Sequence, residues 1–453
     1  MALEMTDKTP TGKQVNDAYS GYDILLDTSD DDAEITHIDR GTPCGEYLRR
    51  FWQPVMLSSE LGDLPKKITL LGEDLVLFRD KSGDLGLFHK HCAHRGASLE
   101  YGIIADHGLI CCYHGWHYAI DGTLIRAGSE PESSPVHRRV VQGAYPTHEF
   151  EGVIFAYMGP TGAIPPFPQF DTLLDEGVEK IPFSITTHCN WLQVYENTQD
   201  PIHVLHLHAR SSGVQFGAAS GIDQMIEYRD TPLGMINVQT REVGENIWIR
   251  TTETILPNMN QGGAIWEEAE SEKVFNRSAF TRWMVPQDNF VTRTIGWRLF
   301  SNDLDPRNQG DRSKVGLESI DFIGQTKDER SYEESQRQPG DYEAQVSQRP
   351  IAIHQLENLA SSDRGVARVR QLIRDRIRAL QAGTEPDQPS ANTLGQIPTF
   401  VQDSVFKASL DEEGKRSFSR QLVDHMLSNT DACEHSRRKD MEKFCRDYLN
   451  SIG

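Results

Sequence analysis

Apolar residues in the first third of the chain come in short runs separated by turn residues, a pattern that predicts antiparallel β structure from about residue 41 to 160. Residues 75–78 and 85–88 flank a turn containing Gly83 and Asp84, and residues 118–120 and 123–125 flank Asp121-Gly122, a strong hairpin signal. Four prolines and two glycines between Gly159 and Pro168 cannot continue a strand ladder and mark a domain boundary. Beyond it, residues 191–208 have too few breakers for a loop and predict a helix. Residues 230–300 return to strand-like runs such as Asn246-Ile247-Trp248-Ile249. Ser362 and Asp363 cap a predicted helix that carries Val366, Val369, Ile373, Ile377 and Leu380 on one face. Residues 381–397 predict a loop, and the charged C-terminal segment predicts further helix. Residues 1–40 are polar, with Ser29, Asp30, Asp31 and Asp32 in one cluster, and predict a loosely held extension that buries little apolar surface. The chain thus divides into an extension (1–40), a β domain (41–165) and a larger second domain (166–453).

Composition narrows the class. The 453 residues suffice for two domains, and 67 acidic against 46 basic residues give a net charge of -21, which argues against nucleic acid or an anionic membrane as partner. No apolar run approaches the roughly 18 residues of a membrane span, and the first residues lack the apolar core of a signal peptide, so a cytoplasmic location is expected. There is no internal repeat and no glycine-rich dinucleotide fingerprint. Seven cysteines, an odd number in so long a chain, do not make a secreted disulfide framework. Cys92, Cys111 and Cys112 fall instead among His91, His94, His107, His114 and His117, a density that points to metal.

Cys92-Ala93-His94 and Cys111-Cys112-Tyr113-His114 give Cys-x-His, sixteen intervening residues, then Cys-x-x-His. Two short loops each present one thiolate and one imidazole, as a mixed-ligand 2Fe–2S cluster requires: thiolates on one iron, neutral imidazoles on the other, and a potential raised above that of all-Cys ferredoxins. A structural zinc on the same four residues is the competing reading. Zinc needs only the four ligands, whereas each pair here is also followed by a glycine, Gly96 and Gly115, that lets backbone amides approach the sulfurs. Cys112 is expected to be a buried thiol facing away from the metal.

These loops resemble the Rieske proteins. The respiratory branch adds a disulfide-forming cysteine to each loop at places held here by Ala97 and Tyr113, and the Tyr113-His114-Gly115-Trp116 run is similar to the oxygenase branch instead. The stretch 41–52 (GTPCGEYLRRFW) is similar to the opening of large (alpha) subunits of the phthalate dioxygenase and aromatic O-demethylase branch. The resemblance implies an α+β fold: an antiparallel β Rieske domain followed by a helix-grip catalytic domain with a central antiparallel sheet and long C-terminal helices.

Residues 196–208 contain Asp200-x-x-His203-x-x-x-x-His208, which resembles the mononuclear-iron motif of these oxygenases. Iron(II) that must meet both dioxygen and substrate needs two His and one carboxylate on one face, with the remaining positions open. The resemblance assigns His203 and His208 as ligands, with His206 a local competitor. It places the third ligand upstream of the Ser362-Asp363-Arg364 helix entry on a segment leading to a proline. Asp341, nine residues before Pro350, fits; Asp321, Asp328 and Glu343 are rivals that spacing does not exclude. Asp200 matches the family's bridging carboxylate, which links a cluster histidine of one subunit to an iron histidine of its neighbour; an ordinary helix-start carboxylate is the alternative. Asn197 and Arg250 are candidate substrate contacts, and a surface arginine is the competing reading for Arg250.

The resemblance further implies one Rieske 2Fe–2S cluster, one mononuclear Fe(II), a separate NADH-dependent flavin and iron–sulfur reductase, and a homotrimer or a hexamer of two trimers. The expected reaction uses O2 to hydroxylate, or oxidatively O- or N-dealkylate, an aromatic compound, an aromatic acid in particular. A pure electron-transfer Rieske protein with a docking domain is the competing function.

Overall fold

In the computed structural model, residues 31–211, 217–327 and 329–452 are described. The alternating segments of the first third form three small antiparallel sheets. Trp52–Leu57, Val153–Tyr157 and Thr147–Phe150 make one; Lys66–Leu70, Glu73–Arg79, Leu85–His89 and Ala144–Tyr145 make the second. The third joins Ile103–Ile104, Leu109–Ile110, Trp116–Tyr118 and Leu124–Ala127. The turn at Gly83-Asp84 is where the pattern placed it, with Leu75 paired to His89 and Arg79 to Leu85. Val76, Phe78, Phe88, Leu99, Leu109, Trp116 and Tyr118 fill one core, and Cys92 and Cys111 are buried in it.

After the Pro/Gly-rich stretch the chain builds a nine-stranded antiparallel sheet. Its order is Glu179–Thr187, Thr292–Phe300, Phe280–Pro286, Met259–Gly262, Asn246–Ile255, Gly234–Val243 and Met225–Thr231. Gln402–Lys407 also pairs with Asn246–Ile255 and carries Lys273–Asn276 on its other edge. Long helices Arg364–Gln381, Glu412–Ser428 and Glu434–Ile452 cover it. Val369, Ile373 and Ile377 are fully buried, as their spacing required. The large core runs past the domain boundary: Phe155 of the first sheet meets Trp283 edge-on at 5.6 Å, and the Trp297 indole donates to the Glu151 carbonyl at 2.8 Å. Among the described residues no helix is long and apolar enough to cross a membrane.

Three expectations are corrected. Residues 31–40 are not a loose extension: Ile35 and Ile38 are fully buried, while Asp32 pairs with His354 and Arg374, and Glu34 with Arg374 and Arg378. Residues 1–30 lie outside the described residues. Residues 191–208 are not one helix: Trp191–Glu196 is α-helical, Asn197–Gln199 is a 3-10 turn, and Val204–Ser211 is a π-helix. The break falls at Asp200 (φ −112°, ψ 75°) before Pro201, which has no N–H for a helical hydrogen bond and disfavours helical geometry in the residue it follows. Finally, Asp363 does not cap Arg364–Gln381 with its side chain; its carboxylate accepts from Ala360 N at 2.6 Å, closing the 3-10 turn that leads in.

Glu253 yields a prediction about stability. It is fully buried in the sheet, accepts from Phe400 N at 2.6 Å with one oxygen, and has no partner for the other among the described residues. Burial pushes its pKa up to about 8, against the opposing pull of the Phe400 amide and Arg277. A raised carboxyl pKa costs nothing below its ordinary value near 4.5 and costs progressively more as pH climbs toward 8, roughly 3 kcal/mol by pH 7. Glu253→Gln is therefore expected to melt above the parent protein at pH 7–8, with the gap closing toward pH 5. Melting curves across that range check it; a gap independent of pH contradicts it.

Candidate metal centres

The first centre stands on two hairpin loops. Cys92 N–H donates to the Ala97 carbonyl and Gly96 N–H to the Cys92 carbonyl, both at 2.9 Å, while Gly115 N–H donates to the Cys111 carbonyl at 3.0 Å. These tight returns need positive φ, supplied by Gly96 (76°) and Gly115 (70°). They bring His94 and His114 together with ring centres 4.7 Å apart, and the His94 ring stacks on Trp116 at 4.4 Å. Gln142 fixes the first loop, accepting from Ala93 N at 2.8 Å and donating to the carbonyls of His89 and His91. His94 Nδ1 is buried with no protein partner among the described residues, and the two cysteine sulfurs are buried beside each other. Buried polar atoms are normally satisfied, so this donor set fits a group bound between the loops. The Tyr118 hydroxyl lies 3.2 Å from Cys92 Sγ, a contact the motif did not disclose because Tyr118 sits outside both loops. Cys112 is exposed rather than buried, since its neighbour Cys111 takes the inward position on the loop.

The second centre lies against the large sheet. His203, just before the π-helix, and His208, within it, lie to one side with ring centres 5.0 Å apart. The helix Asp341–Val346 brings Asp341 Oδ1 to 3.3 Å from His208 Nε2 and 3.8 Å from His203 Nε2. The candidate donor atoms of the three residues lie within 4.8 Å of one another. His203 Nδ1 meets the main-chain carbonyl of Asp200, which leaves Nε2 unprotonated and facing the centre. Asp200 therefore approaches His203 through its backbone and not through its carboxylate. Asp341 is buried; burial alone would raise its pKa, but the His208 and His203 rings and the Gln325 amide, donating to Oδ2 at 2.7 Å, hold it well below the usual carboxylate range. Apart from the two facing imidazole nitrogens, its Oδ1 has no hydrogen-bond partner among the described residues. An ionised, buried and unsatisfied oxygen between two imidazoles is what a divalent cation would complete.

The rivals for the third position are placed elsewhere. Asp321 is fully buried in an ion pair with Arg298 at 3.0 Å, and Glu343 pairs with Arg330 at 2.8 Å. Asp328 lies outside the described residues. His206 is exposed and does not join the group. A second convergence, Glu196, His354 and Glu357, is an ion-pair network, because Arg370 binds both carboxylates.

Beside the second centre lies a cavity of about 80 Å³, whose walls include Asn197, Thr198, Arg250, Asn260, Phe280 and Arg282. Arg250 reaches it with its charge already balanced: Nε donates to Asp403 Oδ1 at 2.7 Å, and Nη2 also meets the Ala264 carbonyl. Gly263 has no room for a side chain, since a Cβ there would fall 2.0 Å from Asp403 Oδ2.

Residues 51–141 match the Rieske [2Fe-2S] domain family. The chain is 44% identical, over 85% of its length and 86% of the relative's, to the tert-butanol monooxygenase / tert-amyl alcohol desaturase oxygenase subunit of Aquincola tertiaricarbonis. It is 35% identical, over 78% and 87%, to the phenoxybenzoate dioxygenase alpha subunit of Ectopseudomonas oleovorans. It is 31% identical, over 84% and 88%, to the 5,5'-dehydrodivanillate O-demethylase oxygenase subunit of Sphingobium sp. (strain NBRC 103272 / SYK-6). Among solved structures, NdmB of Pseudomonas putida CBB5 shares the fold, with a TM-score of 0.55 and 18% identity over 77% of this chain and 95% of that one. The chain belongs to the Rieske non-haem iron oxygenases, as an alpha subunit of the branch that includes phthalate dioxygenase and aromatic O-demethylases. It is accordingly the oxygenase component of such a system, an oxidoreductase with a 2Fe–2S cluster and a mononuclear iron as cofactors.

The Tyr118 contact predicts a tuned potential. A hydrogen bond to a cluster sulfur raises the potential, so Tyr118→Phe is expected to lower it while the mixed-ligand spectrum persists. His94→Cys is expected to drop it further, toward the roughly −400 mV of all-Cys plant-type ferredoxins, or to lose the cluster. Redox titration followed by electron paramagnetic resonance checks both; an unchanged potential in Tyr118→Phe contradicts the first.

Proposed function

We propose that Cys92, His94, Cys111 and His114 hold the cluster, that His203, His208 and Asp341 hold the iron, and that the cavity beside them receives an aromatic substrate, an aromatic acid in particular. The observation that carries this reading is the unsatisfied Asp341 Oδ1 between two imidazole nitrogens at the end of a cavity. When bound, the cluster supplies electrons one at a time and the iron supplies an open coordination face for dioxygen beside the substrate. The protein's own contribution is positional. The Asp200 carbonyl fixes the His203 tautomer, Gln325 orients Asp341, and the walls keep the reacting carbon near the centre with little water. Electrons are taken from a separate NADH-dependent flavin and iron–sulfur reductase, in keeping with the absence of a nucleotide fingerprint in this chain.

Asp200 supports a further element of the reading. Its main-chain carbonyl serves His203, and among the described residues its carboxylate has no hydrogen-bond partner, so it is left to meet a cluster histidine of a neighbouring subunit. This arrangement requires a ring, a homotrimer or a pair of stacked trimers. On substrate, the names phenoxybenzoate and phthalate borne by relatives favour an aromatic acid. The small cavity and the tert-butanol-oxidising relative favour a compact tertiary alcohol as a second reading. A screen of both classes with a reductase supplied, following product by mass, separates them.

Three substitutions test the site. Asp341→Ala is expected to bring iron down from three to two per chain with the cluster spectrum intact. Asp321→Ala is expected to keep all three while losing about 3–5 kcal/mol of stability, since it strands Arg298 in the interior. Iron retained at three with activity in Asp341→Ala assigns the third ligand elsewhere. Asp200→Asn is expected to keep both metals and to be reduced normally, yet to form product roughly 10- to 100-fold more slowly in a single turnover. Product at the parent rate makes Asp200 a helix-break residue only.

A further inference from the structure

Buried arginines in this protein are almost all paired with a carboxylate. Arg49 meets Glu73, Arg250 meets Asp403, Arg277 and Arg437 share Asp171, Arg293 meets Glu60, Arg298 meets Asp321, and Arg370 clamps Glu196. Arg282, half-buried on the wall of the cavity, has no such partner. It stands on Phe280–Pro286 directly opposite Asn260, and Nε donates to Asn260 Oδ1 at 3.1 Å. Its guanidinium carbon lies 4.6 Å above the centre of the Phe280 ring, and Asn260 is itself held by Thr198. Among the described residues no carboxylate pairs with it. The other exception, Arg241, stacks on Trp248 and donates to Gln239, and it does not line the cavity; Arg282 does.

We propose that Arg282 recognises an anionic oxygen of the substrate, a carboxylate by preference, through its Nη1 and Nη2 donors. The inference rests on the cavity being the substrate site and adds the group that selects the substrate's charge. Asn260 and Phe280 hold the guanidinium plane, so the outer fork is preorganised for two parallel hydrogen bonds to one carboxylate. A half-buried cation without a counter-charge carries part of the desolvation cost of a buried one, and a ligand that brings the charge and closes the cavity offsets it on binding. Asp341 does not remove it, because a divalent metal on Asp341, His203 and His208 more than balances that single carboxylate and leaves the cavity net positive. Burial lowers the Arg282 pKa to about 10, partly opposed by Asp341, so it is still a cation at neutral pH. Neutral isosteres would leave the fork unsatisfied and be rejected.

The test is calorimetric binding of benzoate, benzamide, benzyl alcohol and tert-butanol to the iron-loaded protein, with iron content and cluster spectrum measured on every sample. The parent protein is expected to prefer benzoate over benzamide by roughly 10- to 100-fold. Arg282→Gln is expected to lose that preference, its benzoate affinity falling by the same factor and its benzamide affinity unchanged, while Arg282→Lys recovers part of it. Both variants should keep three irons per chain and the parent melting profile within a few degrees. Should Arg282→Gln misfold, the Lys variant and the parent's own benzoate-to-benzamide ratio carry the decision. Equal binding of benzoate and benzamide by the parent, tighter binding of the alcohols, or a preference that survives in Arg282→Gln overturns the inference and leaves the oxygenase reading standing. A parent protein that holds only two irons per chain overturns the oxygenase site itself.

Discussion

The catalytic half is organised around a carboxylate that must stay ionised in the interior. Asp341 can do so because three separate stretches of chain converge on it: the segment with His203 and His208, the loop with Gln325, and the start of its own helix. The approach is close. Gly340 packs against Gly324 so tightly that a Cβ on it would fall 2.4 Å from the Gly324 Cα. Glu343 then caps the Gly340 amide at 2.8 Å while pairing with Arg330, which ties that helix start to the preceding loop. The charge of Asp341 thus depends on backbone packing as much as on its immediate partners, and a site with one oxygen left over is the price of leaving room for a cation.

Most other buried charges, Glu253 and Arg241 excepted, follow the opposite rule and are paired within the protein. Arg298 and Asp321 have no exposure at all, and the guanidinium of Arg298 also serves the carbonyls of Ala279 and Leu299. Asp171 receives both Arg277 and Arg437, and Thr399 completes the group. Such networks fix how the C-terminal helix seats on the sheet; breaking one partner is costly because the other is stranded. Against this background Arg282, Asp341 and the unpartnered His94 nitrogen are distinguished by location, since each lies at one of the two centres or on the cavity wall.

What was legible in the sequence follows how local each feature is. The two cluster loops were legible as loops because each cysteine and histidine pair sits in one turn, and the glycines that allow the turn lie beside them. His203 and His208 were readable because both lie on one short segment. Asp341 was found only through resemblance, since it lies 133 positions and seven strands of the sheet beyond His208 and its spacing carries no geometric information. Among arginines, Arg250 was singled out from its surroundings in sequence, yet its counter-ion Asp403 lies on a strand 153 residues away. The exposed Cys112 and the Tyr118 contact depend on which way one loop residue turns, and adjacency does not report that. The same limit applied to residues 31–40, where composition described the exposed acidic side chains and missed the two isoleucines between and after them.

Those ten residues illustrate how far the support of His203 and His208 extends. The break at Asp200-Pro201 sets the direction in which His203 and His208 point, so whatever holds the preceding turn holds the ligands. Gly365 lies against that turn without room for a side chain, a Cβ there falling 2.2 Å from the Gln199 carbonyl, and the Tyr228 hydroxyl reaches both Gln199 and Ser362. Arg370, one turn further along the same helix, grips Glu196 with two bonds of 2.7 Å. The next turns present Arg374 and Arg378 to Glu34, and Arg374 also meets Asp32. One helix therefore carries the load from the N-terminal segment to the ligand segment. Charges on the surface end of that path are only half-buried and individually weak, but they act on a rigid element whose other end permits almost no displacement. A stretch whose composition argued for a loose tail is, in the folded protein, part of the frame that aims His203 and His208.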